Sequence, residues 1–114
     1  METVSLCCLD DVPDGGARVI DATLAGRPVV VVRRAGQVWA YANRCPHFSV
    51  PLDYEPGRVP TYRAQVIMCA HHSALFRFED GQCIEGPCAG AKLDAIPVWV
   101  DAQENVVARR AGAS

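Results

Sequence analysis

Cys45-Pro46-His47 and, further on, Cys69-Ala70-His71-His72 are the stretches on which the reading of this chain turns. Each joins a thiolate donor to imidazole donors, and 21 residues separate His47 from Cys69. Soft thiolate combined with borderline imidazole suits zinc or iron–sulfur chemistry and does not suit calcium or magnesium. Structural zinc typically uses Cys-x2–4-Cys and His-x3–5-His spacing, and neither pair has it. A Cys-x-His pair is a tight bite, better suited to two donors that serve different metal atoms. Taken singly, a Cys is usually a small buried hydrophobe and a His a packed or surface residue. It is the repetition of the pair, twice in turn-rich sequence, that argues for metal. The candidate ligands are Cys45, His47, Cys69 and His72. His71 is a rival for the fourth place.

Outward from these stretches the texture is β. Prolines and glycines recur from Asn43 to about Gly90, at Pro46, Pro51, Pro56, Gly57, Pro60, Gly81, Gly86 and Pro87. Strands in that part must be short: Gln65 to Met68, Leu75 to Phe78, and Gln82 to Ile84. Asp80-Gly81 between the last two is a hairpin signal. Upstream, the apolar run Val4 to Leu9 ends in the turn sequence Asp10 to Gly16. Valine-rich Arg27 to Arg34, the turn Ala35-Gly36 and alternating Gln37 to Ala42 form a second hairpin. Downstream, Ala95 to Val100 reads as one strand, Asp101 to Glu104 as a turn and Asn105 to Ala108 as a last strand. No segment of ten or more residues has helical periodicity. The expected organisation is all-β and a single domain over 1–114. Its base is made from 1–42 and 91–114, and an insert of about 43–90 carries the chemistry.

A chain of 114 residues has room for one core rather than two. With 11 Lys+Arg against 13 Asp+Glu the net charge is -2, so no nucleic-acid or anionic-membrane partner is indicated. No run approaches the roughly 20 apolar residues of a membrane span. Met1 to Val4 lacks a basic, then apolar, export signal. A cytoplasmic, soluble location is therefore expected. In a reducing compartment the six cysteines are expected to be ligands or free thiols. At least one of Cys7 and Cys8 should face the core. Cys83 and Cys88 flank Gly86-Pro87 and could meet across a turn, although free thiols are expected. Arg33-Arg34 and Arg109-Arg110 read as solvated strand ends, and Trp39 and Trp99 as packing residues. Nothing suggests a Ser-His-Asp triad, a phosphate loop or an acid pair placed for hydrolysis.

The chain resembles the Rieske family, whose motif is Cys-x-His followed by Cys-x-x-His. The likeness extends through Val38-Trp39-Ala40-Tyr41-Ala42-Asn43-Arg44-Cys45-Pro46-His47 and Leu52-Asp53. It continues in Leu75-Phe76-Arg77-Phe78-Glu79-Asp80-Gly81, Gly86-Pro87 and Ile96-Pro97-Val98. The resemblance implies an antiparallel β-sandwich base with a small loop-rich cluster-binding subdomain. It also implies one 2Fe–2S cluster per chain, with Cys45 and Cys69 on one iron and His47 and His72 on the other. Gly86-Pro87 is similar to the family loop that covers the cluster from a third side. The Cys69-x-x-His72 spacing selects His72 over His71. Respiratory-type members carry a disulfide between the cluster loops and place Ser and Tyr hydroxyls near the cluster. This chain has Phe48-Ser49-Val50 after His47 and Ala70 after Cys69, which rules that disulfide out. At the hydroxyl positions it has Ala74 and Phe76. Hydrogen bonds to cluster and ligands raise the potential, so a low potential is expected.

The function this resemblance implies is one-electron transfer by a ferredoxin-like component. It would take electrons from a reductase and deliver them to an oxygenase or similar enzyme, and it would not itself be an enzyme. One alternative is a small Rieske subunit of a larger redox enzyme such as a nitrite reductase. Another, from a different class, is a structural zinc module used for protein binding.

Overall fold

Val29-Val30-Val31-Val32 fixes the middle of the molecule, because all four valines have 0% exposure. Successive side chains of a strand point to opposite faces, so a strand buried at every position must have a core on each side. Val30 and Val32 belong to one core, with Tyr41, Leu52, Ile67, Cys69, Phe76 and Phe78. Val29 and Val31 belong to a second, with Leu9, Val12, Ala40, Ile96, Val106 and Ala108. The structure, a computed structural model, describes residues 3–20, 28–44, 52, 59–69, 74–86 and 90–109.

The strands in order are β1 (Thr3–Cys8), β2 (Ala17–Ile20), β3 (Val29–Arg34), β4 (Gln37–Ala42), β5 (Thr61–Tyr62), β6 (Val66–Met68), β7 (Leu75–Arg77), β8 (Cys83–Glu85), β9 (Ala95–Ile96), β10 (Val98–Val100) and β11 (Asn105–Arg109). A short 3-10 turn, Leu9–Asp11, follows β1. Among the described residues three antiparallel sheets result, in the orders β1-β11-β10, β2-β3-β4-β9 and β5-β6-β7-β8. The β3-containing sheet is the middle layer, with one core on each side. The all-β expectation holds. No helix among the described residues is long and apolar enough to cross a membrane.

Several particulars differ from the sequence reading. Ala95 to Val100 is two strands, not one. β9 pairs with Ala40 and Tyr41 of β4, whereas β10 pairs with β11. Pro97, between them, has no N–H to give to a ladder, and there the chain passes from one sheet to another. β2 and β5 were not expected, being only four and two residues long. Arg33 is not a solvated strand end. Its guanidinium reaches the carbonyls of Leu9 at 3.3 Å and Val12 at 3.2 Å, tying the 3-10 turn to the middle sheet. Arg34 lies over the Trp39 ring at 5.2 Å. Trp39 does pack against the first core, but Trp99 is 40% exposed on edge strand β10. The side chains of Arg109 and Arg110 lie outside the described residues.

Candidate metal centre

Strand β6 ends at Met68, and the next residue is Cys69, fully buried at 0% exposure. Its backbone N–H donates to the Ala74 carbonyl at 2.8 Å. Met68 pairs with Leu75 across the β6–β7 ladder, so the Cys69–Ala74 bond continues that ladder by one step. It joins the two residues that flank 70–73, the stretch of sequence that contains His71 and His72. Cys69 and Ala74 share the first core with Leu52, Phe76 and Cys83.

A third segment meets this one at Gly86. It has φ +103, and a Cβ there would lie 2.8 Å from Ala74 Cα and 3.1 Å from Ala74 Cβ. Any side chain is excluded both by the conformation and by this approach. Glycine at 86 lets the chain that follows β8 lie directly on Ala74, whose carbonyl holds the Cys69 N–H.

The first segment is tied from the other side. Asn43, just beyond β4, is buried at 4% exposure. Its backbone N–H donates to the Pro28 carbonyl at 2.8 Å. Its Oδ1 accepts the Leu52 N–H at 2.8 Å. Residues 44–51, among them Cys45 and His47, are the chain between those two anchors. Asn43 carries no motif of its own in the sequence. The available signal was a polar side chain directly after the apolar strand Val38 to Ala42.

Of the four expected ligands the structure thus places Cys69. Cys45, His47, His72 and the rival His71 lie outside the described residues, as does Cys88. Among the described residues no three His, Cys, Asp or Glu side chains gather as a metal site. Cys83 is a free, buried thiol that donates to the Glu85 carbonyl at 3.3 Å. Cys7 faces the second core, as expected of one member of that pair. Burial pushes its thiol up, and the Asp11 carboxylate adds to the rise. Cys8 is exposed.

Three short segments, those of Leu52, Ala74 and Gly86, thus meet around the core that holds Cys69. The chain belongs to the Rieske family: the Rieske [2Fe-2S] domain model matches residues 2–107. It is similar to the terminal oxygenase component of carbazole 1,9a-dioxygenase from Sphingomonas sp, with 30% identity over 66 residues, 58% of this chain and 17% of that protein. Its fold is that of the terminal oxygenase of carbazole 1,9a-dioxygenase from Novosphingobium sp. KA1. The TM-score is 0.80 at 22% identity, over 99% of this chain and 31% of that one. The corresponding oxygenase from Nocardioides aromaticivorans IC177 gives 0.79 at 22% identity, over 99% and 31%. The chain therefore spans about a sixth of the curated relative and under a third of these solved chains.

The family's cofactor is a 2Fe–2S cluster, whose function is one-electron transfer. Cys69 fits that group. It offers a soft sulfur donor out of water, with its backbone fixed by Ala74.

Proposed function

We propose that this chain is a one-electron carrier of the ferredoxin kind, which accepts electrons from a reductase and delivers them to an oxygenase or similar enzyme in the cytoplasm. Cys45 and Cys69 hold one iron of the cluster through sulfur, and His47 and His72 hold the other through imidazole nitrogen. The part from about 43 to 90 bears the cluster, and the flanking strands form the base. The observation that carries the reading is the family match across residues 2–107, joined to Cys69 sealed at the end of β6. Solved complexes of a similar oxygenase with its ferredoxin support a redox enzyme as partner. The chain's own part is to fix the ligand loops, keep water from Cys69 and present the cluster for electron exchange. The cluster supplies the redox chemistry when bound.

A second reading has a specific observation behind it. The relatives above are terminal oxygenase components, far longer than the matched part. On that reading the chain is the electron-receiving portion of a larger redox enzyme.

The test begins with the purified protein. It should be brown, hold two irons and two acid-labile sulfides per chain, and give a Rieske-type paramagnetic signal when reduced. Stoichiometric zinc without labile sulfide sinks both readings. His72→Ala should abolish the signal and His71→Ala should keep it. Reoxidation of the reduced chain by a separately added terminal oxygenase favours the carrier. Electron acceptance from a reductase without such reoxidation favours the second reading.

A further inference from the structure

Asn43 is the one buried polar residue among the described residues. Burying an amide is costly unless its polar atoms are paired. The strand before it ends in Ala40-Tyr41-Ala42, where Ala40 and Ala42 are themselves buried. What the side chain does is join positions nine residues apart, Oδ1 to the Leu52 N–H at 2.8 Å. Both anchors are firm. The Asn43 backbone donates to Pro28 at the head of β3. The Leu52 side chain is fully buried in the core that also holds Cys69.

We propose that Asn43 is the clamp of the first ligand loop: by holding the Leu52 amide, its side-chain carbonyl fixes both ends of residues 44–51 and so positions Cys45 and His47 for the cluster. This rests on the reading of Cys45 and His47 as ligands. The physical reason is preorganisation. A ligand loop whose ends are fixed loses less conformational freedom when its donors engage, and partners that orient ligands are a large part of a metal site's strength. The bond also links two ligand segments. Leu52, the residue it holds, shares a core with Cys69 and Ala74, which flank residues 70–73. Without the Asn43 carbonyl the buried Leu52 N–H has lost its acceptor, and the loop opens locally while the sheets stay intact.

The experiment compares Asn43→Ala, Asn43→Asp and Val31→Ala with wild type, all as the oxidised, cluster-loaded protein. Val31 lies in the far core, so its truncation weakens the chain without touching the loop. The readouts are the rate of cluster bleaching under an iron chelator, the thermal midpoint, and hydrogen exchange of the Leu52 amide. Asn43→Ala should bleach on the order of 10- to 100-fold faster, the range of outer-shell losses at metal sites, and should deprotect the Leu52 amide. Asn43→Asp, which keeps an acceptor oxygen at the same reach, should restore most of the rate. Val31→Ala should lower the midpoint and leave bleaching near wild type. Should Asn43→Ala not fold, Asn43→Ser replaces it, since its hydroxyl stops short of Leu52 and it must also bleach faster. A wild-type bleaching rate in Asn43→Ala, or in Asn43→Ser where it replaces it, overturns the clamp, and so does equal acceleration by Val31→Ala. A wild type with no cluster overturns the ligand reading itself, and the clamp with it.

Discussion

At the scale of single residues, what surrounds Cys69, proposed above as a cluster ligand, bears on the potential. Phe76 is fully buried in its core, and the Ala74 carbonyl is occupied by the Cys69 N–H. The hydroxyl in that core is Tyr41's, and it donates to the Phe78 carbonyl. Ala74 and Phe76, which stand where respiratory-type members carry hydroxyls, have none to offer a cluster held at Cys69. Hydrogen bonds to sulfur raise the potential of such centres. The midpoint should therefore fall toward the ~−150 mV end of the Rieske span rather than the ~+300 mV end. Phe76→Tyr should raise it. Protein-film voltammetry of both forms checks this, and a wild-type midpoint in the upper half of the span would contradict it. The same scale shows how unevenly the site could be read in the sequence. Cys69 was legible because a cysteine followed closely by histidine occurs twice, at Cys45-Pro46-His47 and at Cys69-Ala70-His71-His72. Asn43 was not, because a lone asparagine after a strand usually marks a turn, and its partner Leu52 has no sequence signature.

At the scale of elements, the β7–β8 hairpin shows local chemistry making structure. Phe78 to Gln82 must reverse the chain, and Asp80 organises the reversal. Its carboxylate accepts the Arg77 guanidinium and the Gln82 N–H, the latter at 3.0 Å. Gly81 takes φ +71 where a Cβ would strike the Tyr41 ring at 2.7 Å. The Arg77 guanidinium, and then the Gln82 amide, hold the Asp80 carboxyl down at about 2. A depressed folded pKa gives stability that is present above the unfolded value, roughly 3.9, and is lost as pH falls through the folded one. Asp80→Asn should thus be less stable than wild type at neutral pH, and the two should converge between about pH 4 and pH 2. The gap should be small, since exposed ion pairs are screened. Urea midpoints of both proteins across that window measure it, and a gap independent of pH would contradict the assignment. This hairpin was legible because Asp-Gly between apolar runs carries its own mechanism. β5 and β2 were not, because two to four residues hold too little pattern to separate a strand from a loop. Their pairing is supplied by neighbours: Thr61 by Ile67, and Ala17 to Ile20 by Val32 to Val29.

At the scale of the molecule, the middle sheet couples everything else. β3 sends Val30 and Val32 toward the core that contains Cys69, and Val29 and Val31 toward the core under β10 and β11. The valine run was legible as a strand. That it is buried on both faces was not, because a short continuous apolar run is equally consistent with several buried settings. Sharing one strand has a thermodynamic consequence. Neither core can be lost without exposing one face of β3, so the two should open together. Val30→Ala and Val31→Ala, though on opposite faces, should each cost about 2 kcal/mol, the worth of two buried methyl groups with a partly collapsed cavity. Each should lower a single unfolding transition seen equally by sheet and aromatic signals. Native-state hydrogen exchange should find the Val29 to Val32 amides among the slowest, opening only with the whole domain. The short outer strands β5 and β9 should exchange earlier. If Val31→Ala instead splits the transition, with β1, β10 and β11 melting while the Cys69 side stays protected, the cores are independent and the coupling through β3 is refuted.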